Sequence, residues 1–277
     1  MKAKAVYLSL AVFAFISVIS RLVLNLWYID SRGFYQGGTA WVAVQWIAII
    51  LTVSISTLLL PRLNKPCPEE ASFPCHFSGI VLVLAGLCGL IPNFLLIANE
   101  IKFLVSGYSL SWDSLAPALL LAVTCLVFLY IGFYFAIAKK QRQISPLLTL
   151  IPVLWQFTLL FHVFSVSHAI AGISEQKFQL LAAASGVIFW FAHSRVNSNV
   201  DAPKGRQLVL ASGGCYLVFQ ACTLIPTLLG IRRYLDASRL MYLMDELLFL
   251  LLLWVYSLLF FLSILKSSLQ WNTQHPE

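Results

Sequence analysis

The stretch LAPALLLAVTCLVFLYIGFYFAIAKK (115–140) carries no charged residue until Lys139 and Lys140. A helix rising 1.5 Å per residue crosses the roughly 30 Å hydrocarbon core of a bilayer in about 20 residues. This one is apolar around its whole circumference, so no face is left for water. Seven further stretches read the same way, giving spans at 5–27, 40–60, 78–99, 114–138, 147–170, 177–193, 207–230 and 243–265. The sixth is the shortest. The gaps leave no room for a water-soluble domain, so the expected fold is all-α: a polytopic transmembrane helical bundle of about eight helices, one domain over 1–277.

Composition agrees. Of 277 residues, 60% are hydrophobic and 10% charged, against 45–50% and 25% for soluble domains. The net charge of +7 does not point to nucleic acid, because the basic residues sit at the ends of apolar runs, where they set orientation and meet lipid headgroups. Eleven lysines and arginines fall on the side holding both ends of the chain. Six fall opposite (Arg32, Lys102, Lys177, Arg232, Arg233 and Arg239), and Arg21 lies within the first span. The richer side marks the cytoplasm, so both termini are expected there, in a plasma membrane. Trp27, Tyr28, Phe34, Tyr35 and Trp41 then form an aromatic belt at the outer interface. Lys2 and Lys4 before an apolar run resemble a secretory signal, but the run reaches Trp27 without an A-x-A site, so an uncleaved first helix is expected.

CGLIPNFLL (88–96) resembles CTLIPTLLG (222–230), and LVFLYIGFYFAIAKK (126–140) resembles LLWVYSLLFFLSILK (252–266). Matching helices four apart point the same way, so these likenesses suggest a weak four-plus-four parallel repeat.

Polar side chains in a lipid-embedded helix are costly and mark sites by default. Arg21 is close enough to the outer end of its helix to snorkel to headgroups. Asn93, Gln156 and Gln220 each lie near a proline: Pro92, Pro152 and Pro226. A proline in a helix frees a carbonyl and bends the axis. The amides either satisfy such backbone groups or line a polar cavity between the third, fifth and seventh spans, and His162 stands at comparable depth. These four are the ligand-cavity candidates. Arg232, Arg233 and Arg239, read as a loop before the last span with Asp245 and Glu246 within reach, are the candidates for gripping a headgroup phosphate.

No catalytic residue is assigned. The chain has no P-loop, H-E-x-x-H, G-x-S-x-G or Rossmann glycine pattern. Asp113 and Ser114 read as the cap of the fourth span, with no histidine nearby. Cys67, Cys75 and His76 share one proline-rich loop (61–77), but zinc normally takes four ligands at tighter spacing, so no metal is expected. Haem would need histidines at matching depth; His168 and His193 lie near opposite surfaces, so no cofactor is expected. Phe164 with His168, and His193 with Asn197, fit the F-x-x-x-H and H-x-x-x-N patterns of intramembrane prenyl endopeptidases. That family's E-E-x-x-x-R is missing, since Pro74 stands where Glu69-Glu70 would need arginine.

RLVLNLWYIDSRGFYQGG (21–38), IPVLWQFTLLFHVF (151–164) and the basic loop before the seventh span together resemble a group of small, uncharacterised multi-pass membrane proteins of Firmicutes-type bacteria. The resemblance implies a bacterial plasma membrane and an all-helical fold, and carries no activity or site residues. The expected role is non-enzymatic: a transporter-like or accessory subunit binding an apolar or amphipathic ligand, or a membrane or cytosolic protein partner, between its helices. A lipid-processing enzyme and a membrane sensor or assembly factor are the alternatives.

Overall fold

The computed structural model describes residues 2–29, 35–63, 76–107, 112–137, 144–169, 174–234 and 237–274. Eight long helices fill them. They are α1 (Lys2–Trp27), α2 (Thr39–Ser54) running through a π-helical turn (Ile55–Leu59) into α3 (Leu60–Leu63), α4 (His76–Val105), α5 (Trp112–Ile137), α6 (Pro146–Ala169), α7 (Ser174–Asn197), α8 (Ala202–Tyr234) and α9 (Ala237–Gln274). Each overlaps one of the eight apolar stretches. Seven are long and apolar enough to cross a membrane; α7 falls short on composition. The chain is an all-α, multi-pass membrane bundle.

Its outside is apolar because its solvent is lipid. On α4, Ile80, Leu84, Leu87, Ile91 and Phe94 form an exposed stripe at helical spacing. In water such a face would be an aggregation patch.

Neighbouring helices run antiparallel, so the face at which α1 begins is also the face at which α9 finishes, called here the terminal face. Where two helices lack a hydrophobic drive to associate, small residues let backbones close together. A Cβ on Gly79 of α4 would stand 2.7 Å from the Gly132 carbonyl and the Ala136 nitrogen of α5, and one on Gly132 would stand 2.8 Å from Val83. The Nδ1–H of His76 donates to the Ala136 carbonyl at 3.0 Å, satisfying one of the carbonyls left open at the end of α5.

α8 is the central post, buried over most of its length and packed by α7, α9 and α1. Beside it, α7 buries Phe178, Ala182, Ala183, Phe189, Trp190 and His193. A helix solvated by other helices is not required to be apolar. That is why α7 falls short as a span on composition yet sits at the heart of the bundle.

Several expectations change. Helix continues past Pro61, and the π-helical turn just before it widens the backbone where the proline ring would meet the Thr57 carbonyl. α5 begins at Trp112, so Asp113 and Ser114 stand in its first turn rather than ahead of it. Arg232 and Arg233 end α8 and Arg239 opens α9, where a loop was expected. The two halves also pack differently. α7 runs along α8, whereas their counterparts α2 and α4 make no comparable packing among the described residues. The likeness between 88–96 and 222–230 therefore does not extend to the arrangement of helices.

Candidate functional site

Arg21 does not reach for headgroups. It is fully buried, its guanidinium 4.7 Å from the Phe178 ring centroid and its Nη1 donating to the Tyr35 hydroxyl at 3.3 Å. The chain folds back to deliver that hydroxyl: Gln36 N–H donates to the Tyr28 carbonyl at 2.7 Å, and Gly37 and Gly38 take φ of 103° and 72°. At Gly38 a Cβ would lie 2.7 Å from the Tyr28 ring, so only glycine fits. The anchor turns inward because α2, α7 and α8 surround this part of α1 and supply an aromatic face instead of water.

The half of the bundle away from the terminal face carries two cavities open to the outside. A chamber of about 430 Å³ lies between α6, α7, α8 and α9, with Leu121 of α5 closing one side. Its polar groups are His162 of α6, Gln179 of α7, and Gln220, Thr223 and Thr227 of α8. The remainder is apolar, with Trp155, Leu159, Leu224, Phe249 and Leu250 prominent. The α8 groups fall at i, i+3 and i+7, on one helix face. The threonine hydroxyls donate backward, Thr223 to the Gln220 carbonyl at 2.8 Å and Thr227 to the Thr223 carbonyl at 2.7 Å. Their oxygens remain able to accept from a guest.

A second cavity of about 360 Å³ adjoins it, lined by Pro92, Asn93, Asn99 and Glu100 of α4. Leu121 and Phe249 line both cavities and so form the wall between them.

Of the four ligand-cavity candidates, His162 and Gln220 line the larger chamber and Asn93 the neighbouring one. Among the described residues these side chains fall in two neighbouring cavities, with α5 and α9 packed against α4. Asn93 also bonds its own helix, its amide donating to the Gly89 carbonyl at 2.6 Å. Gln156 lines neither cavity. It is fully buried against Gly186, and neither its Oε1 nor its Nε2 has a hydrogen-bond partner. Asp245 and Glu246 lie on α9, and no described side chain bears on the phosphate-gripping role of Arg232, Arg233 and Arg239. Cys67 and Cys75 lie outside the described residues. Among the described residues no group of histidine, cysteine and carboxylate side chains is placed to hold a metal.

Toward the terminal face the bundle is closed by an aromatic core. Phe189 stacks on Tyr216, ring centroids 5.0 Å apart, and Trp190 packs against Phe128 and Tyr256. His193 sits inside, 2.6 Å from the Tyr256 hydroxyl through Nε2 and 2.9 Å from the Asn197 amide nitrogen. The H-x-x-x-N spacing is thus a real pairing across one helical turn, with no metal-holding group beside it among the described residues. Sequence reading placed His193 near a surface and missed its partner. Tyr256 lies in the apolar run LLWVYSLLFF, where one tyrosine is indistinguishable from a packing aromatic.

No family model, curated protein or solved structure matches this chain. Its function therefore has to be read from its own geometry.

Proposed function

We propose that this protein binds an amphipathic small molecule in the chamber between α6, α7, α8 and α9, as a transporter-like protein or the membrane subunit of one. The observation that carries this is the chamber's lining: a mostly apolar, half-open cavity with a few polar groups converging from three helices, the exposed His162 and Gln179 standing at its mouth. That is the usual make-up of a small-molecule site. Its polar groups are amides, hydroxyls and an imidazole, so the matching ligand has a neutral or dipolar head on an apolar body. The excess of lysine and arginine on the terminal face supports placing that face in the cytoplasm, and the resemblance of segments 21–38 and 151–164 supports a bacterial plasma membrane. The chamber then lies in the outer half of the bilayer. Movement of a ligand would draw on an ion gradient or a separate ATPase subunit.

The test uses a monoacylglycerol bearing a photoactivatable diazirine, with the protein in lipid nanodiscs. Saturable labelling is expected within residues 220–227. Val163→Phe, which adds bulk to the chamber from a half-buried position on α6, is expected to weaken labelling about tenfold, or about 1.4 kcal/mol, without lowering the melting temperature. Labelling that does not saturate, or that ignores Val163→Phe in a folded variant, rejects the reading.

A further inference from the structure

The second cavity differs from the chamber in charge. Gly89, Pro92, Asn93, Leu96, Asn99 and Glu100 line it from α4, at spacings that put them along one helix face. Leu121 of α5 and Phe249 of α9 complete the lining. Among the described residues lining either cavity, Glu100 is the one carboxylate, and there is no lysine or arginine. It is half-buried, inside the apolar span of α4 and near the end away from the terminal face. An ionisable group within a span is a functional candidate because lipid penalises it, and this one borders a half-open cavity.

The deep end of that cavity is closed by a close-fitting ring. A Cβ on Gly89 would stand 2.7 Å from both the Cys125 sulfur and the Phe249 ring, so the ring lies directly on the α4 backbone. The same ring meets Trp155 of α6 edge-on, with centroids 6.0 Å apart. Phe249 is thereby fixed between α4 and α6. From Gly89 to Glu100 the helix axis advances roughly 16 Å. The cavity thus runs from an apolar floor to an acidic rim.

The polar groups above the floor are set to accept. The Asn93 Nδ2 is committed to the Gly89 carbonyl at 2.6 Å. A carbonyl only accepts, so the Asn93 Oδ1 is the atom left to accept from a guest. Glu100 makes a contact of its own, but a carboxylate offers about four acceptor positions on its two oxygens, so one engagement does not exhaust it. A primary ammonium brings a positive charge and three donors, with no acceptor. That is the complement of this rim. Size narrows the choice further. The volume of about 360 Å³ is near the lower end of small-molecule sites, which run from about 300 to 1,000 Å³, and suits one alkyl chain rather than two.

We propose that this cavity binds a single-chain primary alkylammonium, its chain lying toward Gly89 and Phe249 and its ammonium held by Glu100 and Asn93. The site is separate from the chamber, and the inference does not rest on the ligand reading given there.

The test uses dodecylamine carrying a diazirine at the far end of its chain, with the protein in phosphatidylcholine nanodiscs. Saturable labelling is expected at the deep end, within residues 85–93 or 118–125. Excess dodecylamine is expected to displace it, and dodecanol, which has the chain without the charge, is not. Glu100→Gln keeps the shape and removes the charge, and is expected to weaken labelling about tenfold. Leu96→Trp, which adds bulk from an exposed position, is expected to weaken it by a similar factor while leaving the charge in place. Labelling that does not saturate, that dodecanol displaces as well as dodecylamine does, or that is unchanged in a folded Glu100→Gln protein overturns the proposal. If Glu100→Gln does not fold, the dodecanol competition and Leu96→Trp still decide. Labelling of the same residues by a diazirine-bearing phosphatidylethanolamine that dodecylamine fails to displace would make this a site for two-chain lipid, and overturns it too. The labelled residues differ from 220–227, so this reading and that of the chamber stand or fall separately.

Discussion

Arg21 and Gln45 show how differently two buried polar residues behave. The Arg21 guanidinium exchanges water for the face of Phe178 and the Tyr35 hydroxyl. A desolvated cation–π contact is worth about 2 kcal/mol. A double-mutant cycle of Arg21→Met with Phe178→Leu, followed by thermal unfolding in detergent, is expected to give a coupling energy of about that size. A coupling near zero would mean the ring merely fills space. Gln45 is fully buried on α2, and neither of its amide atoms has a partner. Gln45→Met keeps the shape and removes the unpaired groups, so it is expected to stabilise the protein by about 1 kcal/mol, read as a higher melting temperature. The presence of both residues was plain in the sequence. What each one touched was not, because Phe178 comes from a helix far along the chain from Arg21.

At the scale of elements, the spans were legible and their neighbours were not. Apolar runs bounded by charge are long enough to be counted, and all eight coincide with helices. Lateral packing depends on where small residues meet, and a glycine in an apolar run carries no label saying which helix it faces. Gly79 and Gly132 face each other across α4 and α5. Gly79→Val is therefore expected to cost about 1–3 kcal/mol by pushing α5 away, seen as a lower melting temperature. Gly107, where a Cβ would meet nothing within 4 Å, is the contrasting glycine, held by its φ of 85°. The chamber was half legible for the same reason. His162 and Gln220 stand out as polar residues in apolar helices, whereas the wall of Leu121 and Phe249 that keeps Asn93 apart from them is ordinary sequence.

For the whole molecule, threading turns on α7. Composition leaves it short of a span, yet it lies antiparallel to both its neighbours. Thr149 of α6 bonds Ser194, Gln156 abuts Gly186, and Gly205 of α8 packs on Arg195. If α7 crosses, Gln36 and Asn199 lie on opposite sides of the membrane, five crossings apart; if it does not, they share a side. The decisive variants are Gln36→Cys and Asn199→Cys, each in a chain whose Cys67 and Cys75 are serine, since the other four cysteines lie within the helices. A membrane-impermeant maleimide added to intact cells is expected to label the first variant and to reach the second only after permeabilisation. Labelling of both from outside would remove α7 from the membrane, and with it the floor of the chamber. Labelling of only the second would keep the bundle and turn it over, placing the chamber in the inner leaflet.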